Sequence, residues 1–119
     1  MNKVKSARKD SKIQEEDTEK RDYLFLNVQK KKVKVLFSEI SYIESKREYV
    51  RIVTARGEYL PKMSTHEIEE LLPAALFKRI HRSFIVSLNK IDSYTAETVE
   101  IDGVAIPIGR GYRDVIEKL

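Results

Sequence analysis

FKRIHRSFIVSL, residues 77–88, interleaves cationic and apolar side chains almost one for one. Phe77, Ile80, Phe84, Ile85, Val86 and Leu88 can anchor the segment in a core. That leaves Lys78, Arg79, His81 and Arg82 for the surface, where four potential cations in five residues invite an anion. An ordinary solvated face can carry such a cluster as well, so the flanking sequence has to decide. Upstream lies the alternating run ISYIESKREYVRIVTA (residues 40–55), and downstream IPIGRGYRDV (residues 106–115) holds a second basic turn. The cluster sits between two further candidates for phosphate contact.

Working outward, the dominant periodicity is two. Leu24, Leu26 and Val28 alternate with Tyr23, Phe25 and Asn27, and Val33, Val35 and Phe37 alternate with Lys34 and Leu36, which predicts two strands joined by a lysine-rich turn over 29–32. After a break at Ser38 and Glu39, Ile40, Tyr42 and Glu44 run opposite Ser41 and Ile43. Lys46 and Arg47 interrupt the alternation, so residues 45–48 read as a loop before a strand in which Tyr49, Arg51 and Val53 face one way and Val50 and Ile52 the other. Residues 58–62 make a further strand, placed at a sheet edge by Pro61. Past the basic block, a short strand is expected over 90–93. Asp102 and Gly103 form a two-residue hairpin turn, since both positions of a type I′ turn need positive φ. Pro107 puts the strand that follows at an edge, and Gly109, Arg110 and Gly111 end it in a loop whose glycines permit close approach to another surface.

Helix signals are few. Ser64 with Glu67 forms a capping box, and Ile68, Leu71, Leu72 and Ala75 recur at helical spacing until Pro73 intervenes, predicting a short helix over about residues 64–72. Its outer face carries Glu67, Glu69 and Glu70, which phosphates would repel, so contact with a polyanion falls to loops. A C-terminal helix over 112–119 would turn Val115, Ile116 and Leu119 inward. The fold class is therefore mainly β, with about eight to ten short antiparallel strands. Residues 1–22 intersperse acids and bases with, after Met1, only Val4, Ala7 and Ile13 as apolar positions, and read as a disordered charged tail or linker; residues 23–119 form the domain.

Composition removes several function classes. The chain has 119 residues and no cysteine, which excludes disulfides, thiolate metal sites and thiol catalysis. Its formal charge of +4 is compatible with a polyanionic partner. No apolar run reaches the length of a membrane span and no signal-peptide core is present, so a cytoplasmic location is expected, with no membrane partner. His81 and Ser83 could suggest a nucleophile beside a base, yet no orienting acid or oxyanion turn accompanies them. The expectation is a binding protein, not an enzyme, with no cofactor and no metal. His66 reads as a plain surface residue.

The motifs IxYIES at 40–45, YVRI at 49–52, FKRIHRSFIVSL at 77–88 and IPIGRGYR at 106–113 resemble the LytTR-type DNA-binding domain, the output module of bacterial response regulators, over about residues 23–119. The resemblance implies an elongated β fold that reads double-stranded DNA through loops as a transcriptional regulator, on direct-repeat promoter sites. Carried onto this sequence, it makes Arg82 and Arg110 base-contacting residues. Lys46, Arg47, Tyr49, Lys78, Arg79, His81, Ser83 and Arg113 become backbone or groove-flanking contacts. Gly109 stands where many members have serine, and Ser87 where they have asparagine. In a longer regulator of this type a receiver domain would precede the tail; none is in this sequence, so an excised or stand-alone domain is expected. A receiver domain or a second copy of the chain on DNA would be a further partner. The competing reading is a basic β-rich protein-interaction module without specific DNA binding.

Overall fold

The computed structural model describes residues 21–119 as ten short strands, two α-helices and three single 3-10 turns. The expectation for the N-terminal tail lies outside the described residues, except at Arg21 and Asp22. Asp22 already belongs to the domain, because its carbonyl accepts the Phe37 amide at 2.9 Å.

Three antiparallel sheets make up the fold. A hairpin pairs β1 (Tyr23–Val28) with β2 (Lys31–Leu36). A five-stranded sheet follows, built from β3 (Ile40–Ser45), β4 (Val50–Thr54), β5 (Gly57–Tyr59), β6 (Phe77–His81) and β7 (Phe84–Ser87) in the order β5-β4-β3-β7-β6. The third contains β8 (Ser93–Tyr94), β9 (Thr98–Ile101) and β10 (Val104–Pro107), ordered β10-β9-β8. Helix α1 (Thr65–Leu71) links β5 to β6, and α2 (Arg113–Glu117) closes the chain. The molecule is elongated, 55 × 35 × 24 Å.

The central sheet is covered on both faces, and its register shows why. Ile43 lies between Ile52 and Ile85, and with Leu24, Leu26, Val35 and Ile68 these form one core under the first hairpin and α1. One position along, Tyr42 lies between Val53 and Val86 and joins Ile80, Val99, Ile101, Ile106 and Ile116 in a second core under the third sheet and α2. Ile40, Ser41, Tyr42 and Ile43 are consequently all buried, where alternation alone suggests a single buried face. Each fully buried isoleucine contributes about 1.5–3 kcal/mol, so the two cores share the burden of stability.

Several local expectations hold, for identifiable reasons. Ser64 Oγ accepts the Glu67 amide at 3.0 Å and Glu67 Oε1 accepts the Ser64 amide at 2.8 Å, completing the capping box. Asp102 and Gly103 have φ of 51° and 79°. Both β5 and β10, the strands given edge positions by proline, lie at sheet edges.

Others are corrected. The first hairpin turn is two residues, Gln29 and Lys30, both at positive φ (51° and 68°), and Lys31 and Lys32 belong to β2. Phe37 leaves the strand and is buried in a 3-10 turn, Phe37–Glu39. Strand β5 stops at Tyr59. Leu72 is extended at ψ 141°, so the helix ends before Pro73, and Leu71 and Ala75 are exposed instead of inward. The strand expected over 90–93 is replaced by a 3-10 turn, Leu88–Lys90, and the two-residue β8. At the C-terminus Ile116 is buried but Leu119 is 45% exposed, because α2 ends at Glu117.

Candidate nucleic-acid interface

Residues 77–88 form a hairpin, not one element, and its register divides the cation cluster. Lys78 is opposite Val86, toward the second core, and Arg79 is opposite Ile85, toward the first. Strand alternation sends them to opposite faces of the sheet. The ladder then slips between Arg79 and His81, leaving Ile80 unpaired as a bulge. That slip frees the Ile80 carbonyl to accept the Gly109 amide at 2.8 Å. On the other side of the hairpin, the Ser45 amide donates to the Ser83 carbonyl at 2.7 Å.

These two backbone bonds bring three loops to one end of the central sheet. They are the β3–β4 loop (residues 46–49), the turn at Arg82 and Ser83, and the Arg110–Tyr112 3-10 turn with its neighbours. The first is closed by the Lys46 amide donating to the Tyr49 carbonyl at 2.9 Å. Seven of the ten residues selected from the sequence gather here: Lys46, Arg47, Tyr49, His81, Arg82, Ser83 and Arg110; Arg113 adjoins them as the first residue of α2. Lys78 does not. Four positions from Arg82 along a strand rising ~3.3 Å per residue, it instead lines a groove with Leu88, Ile91, Asp114 and Lys118.

The charges divide into used and free. Arg51 is held by Glu44 at 3.0 Å and Glu58 at 3.2 Å. Partial burial lowers its pKa, but the hydrogen bonds it donates to Tyr42 and Glu58 more than offset that and hold it above the ordinary value. Arg79 is also spoken for: Nη1 meets Glu69 at 3.3 Å and Nη2 donates to the Arg82 carbonyl at 2.6 Å. Lys46 pairs with Glu44 at 3.3 Å, an exposed contact that holds it weakly. Arg47, Arg82, Arg110 and Arg113 are exposed and form no ion pair with any described residue. Four free guanidiniums at one end of a domain suit a polyanion.

The scaffold beneath them is fixed. His81 Nδ1 accepts the Ser83 amide at 3.0 Å, which leaves Nε2 to carry the ring proton as a donor, and the ring packs edge-on against Phe84 with centroids 5.6 Å apart. At Gly109 a Cβ would lie 3.0 Å from Tyr112 Cδ2 and 3.5 Å from His81 Cα, so a side chain there requires the Tyr112 ring to give by a few tenths of an ångström. Gly111 faces open space. Ser87 is buried at the opposite end of β7, paired with Phe77, so that departure from the family pattern is remote from the loops. The sequence reading passed over Lys62, exposed and sharing a surface depression with Arg47 and Glu48. Nothing in its neighbourhood, YLPKMS, singles it out.

Comparison with known proteins agrees with this architecture. Residues 30–119 match the family described as the LytTr DNA-binding domain. A solved LytTr DNA-binding domain of a Bacillus cereus response regulator is 30% identical and superposes with a TM-score of 0.69, covering 82% of this chain and 95% of that one. Among curated proteins, the sensory transduction protein LytT of Bacillus anthracis is 29% identical over 102 residues, 81% of this chain and 42% of its own length. A response regulatory protein of Vibrio cholerae is 27% identical over 92 residues, 70% of this chain and 35% of its own. The chain thus spans about two fifths of the curated relatives it matches. A family match over residues 30–119, on a fold whose three loops converge at one cationic end, shows that the chain belongs to the LytTr DNA-binding domain family.

Proposed function

We propose that the cationic end docks on double-stranded DNA in a sequence-specific manner, with Arg82 and Arg110 reading base edges. Arg47, Arg113, Lys46, Tyr49, His81 and the turn at Ser83 hold the phosphate backbone or flank the groove. The observation that carries this reading is the pair of backbone bonds, Ser45 to Ser83 and Gly109 to Ile80, which set four unpaired arginines on one rigid edge. Arginine's planar fork matches O6 and N7 of guanine, and both proposed readers project from short, braced turns. Arg79 and Lys78 leave the contact set, the first because its guanidinium is engaged within the domain, the second because of its place in the groove.

In this reading the chain is the output module of a transcriptional regulator of the response-regulator type, acting in the cytoplasm on direct-repeat promoter sites. A receiver domain in the longer protein, or a second copy on the same DNA, is its partner. It binds and performs no catalysis. Selection of duplexes from a random pool, followed by affinity measurement across salt concentrations, tests this. Expected are an enriched site, preference over random duplex by at least 10³-fold, and a steep fall of affinity with salt. No enrichment and a flat salt response would return the chain to the class of basic protein-interaction modules.

A further inference from the structure

The β6–β7 turn is held from behind at three points. The Ser83 amide donates to His81 Nδ1, the Ser83 carbonyl accepts from the Ser45 amide, and the Arg82 carbonyl accepts from Arg79 Nη2 at 2.6 Å. The first two come from strands that carry the loops. The third is different in kind, because Arg79 is itself anchored 3.3 Å from Glu69 on α1, a helix packed on the far core. Arg79 Nε is buried and meets no hydrogen-bond partner among the described residues, so the guanidinium is held through Nη1 and Nη2 alone.

We propose that Arg79 is a positioning residue: the chain Glu69, Arg79, Arg82 carbonyl forms a strut that sets the direction of the Arg82 side chain and ties specificity to α1. This rests on Arg82 being a base reader. Lysine is a poor replacement for the strut, since its three donors sit on one nitrogen at the end of a flexible stem and cannot occupy the two places that Nη1 and Nη2 of the planar fork hold. A phosphate contact by Arg79 would behave in the opposite way, tolerating lysine.

The test uses the full chain with Arg79→Lys, Glu69→Gln and Arg82→Ala variants. Arg79→Lys is expected to weaken binding to the selected site about tenfold, the size of one lost charge-assisted hydrogen bond, while affinity for random duplex and the slope against salt stay as in the parent. Glu69→Gln, which keeps the Arg82 bond but loosens the anchor, is expected to give a smaller loss of the same kind. In Arg82→Ala, adding Arg79→Lys should cost nothing more. A DNA-free readout accompanies these: amide exchange at Ser83 and Phe84 should quicken in Arg79→Lys but not in Arg82→Ala. Unchanged exchange, a salt slope reduced by about 1 as for a lost phosphate contact, or an additive double variant would overturn the strut. If the parent itself shows no preferred site, the proposed function fails, and the exchange measurement still decides whether the strut exists.

Discussion

Lys30 offers a stability test of the way this chain turns its first hairpin. Gln29 and Lys30 are the two loop residues between Val28 and Lys31, with φ of 51° and 68°. A side chain with a Cβ in the left-handed region loses about 1–2 kcal/mol relative to the right-handed one. Glycine removes that penalty but enlarges the unfolded ensemble, which returns about 0.5–1 kcal/mol. Lys30→Gly should therefore stabilise by about 0.5–1 kcal/mol. In a domain of this size that raises Tm by about 2–8 °C. Lys30→Val should do the reverse, because a β-branched residue is the least tolerant of positive φ. The exposed lysine forms no ion pair with a described residue, so little else changes. Thermal unfolding followed by circular dichroism measures both. A Tm for Lys30→Gly at or below the parent would mean that backbone strain at this turn is not what limits the hairpin.

Other outcomes follow from the same geometry. Ser64→Ala removes the acceptor of the Glu67 amide and should cost about 1 kcal/mol in urea unfolding. Ile43→Ala, at a position 1% exposed between Ile52 and Ile85, should cost about 2–5 kcal/mol by the same assay. Glu70→Gln breaks only an exposed pair with His66 and should move stability by less than about 0.5 kcal/mol while leaving the salt slope of DNA binding unchanged.

Much of the fold was legible because local chemistry decided it. Ser64 and Glu67 marked the start of α1, Asp102 and Gly103 marked a turn, and Pro61 and Pro107 marked the edges near them. The same local signals ran out where tertiary structure chose. Neither Gln29 nor Lys30 has the glycine or asparagine that betrays a positive-φ turn, so the lysine triplet looked like one loop. Ile40, Ser41, Tyr42 and Ile43 are buried together because two cores sandwich β3, and a single chain segment does not reveal how many layers will cover it. The candidate site followed the same division. The loops at 45–48 and 109–111 were legible, yet the common end they share with the turn at Arg82 and Ser83 depends on the Ile80 bulge and on the bond from Gly109 to β6. The resemblance made Arg79 a backbone or groove-flanking contact beside the base-contacting Arg82; only Glu69 and the Arg82 carbonyl, brought in by folding, distinguish a brace from a free guanidinium.

The central claim, that the converged loops read bases as well as hold phosphates, turns on Arg110. Arg110→Ala and Arg47→Ala should be compared for binding to the selected site and to random duplex, each across a range of salt. Arg110→Ala is predicted to cost about 1–3 kcal/mol on the selected site and much less on random DNA, relaxing preference at one base position. Arg47→Ala is predicted to weaken both duplexes alike and to lower the magnitude of the salt slope by about 1. Equal losses on both duplexes for Arg110→Ala would make that arginine a phosphate clamp and contradict the account.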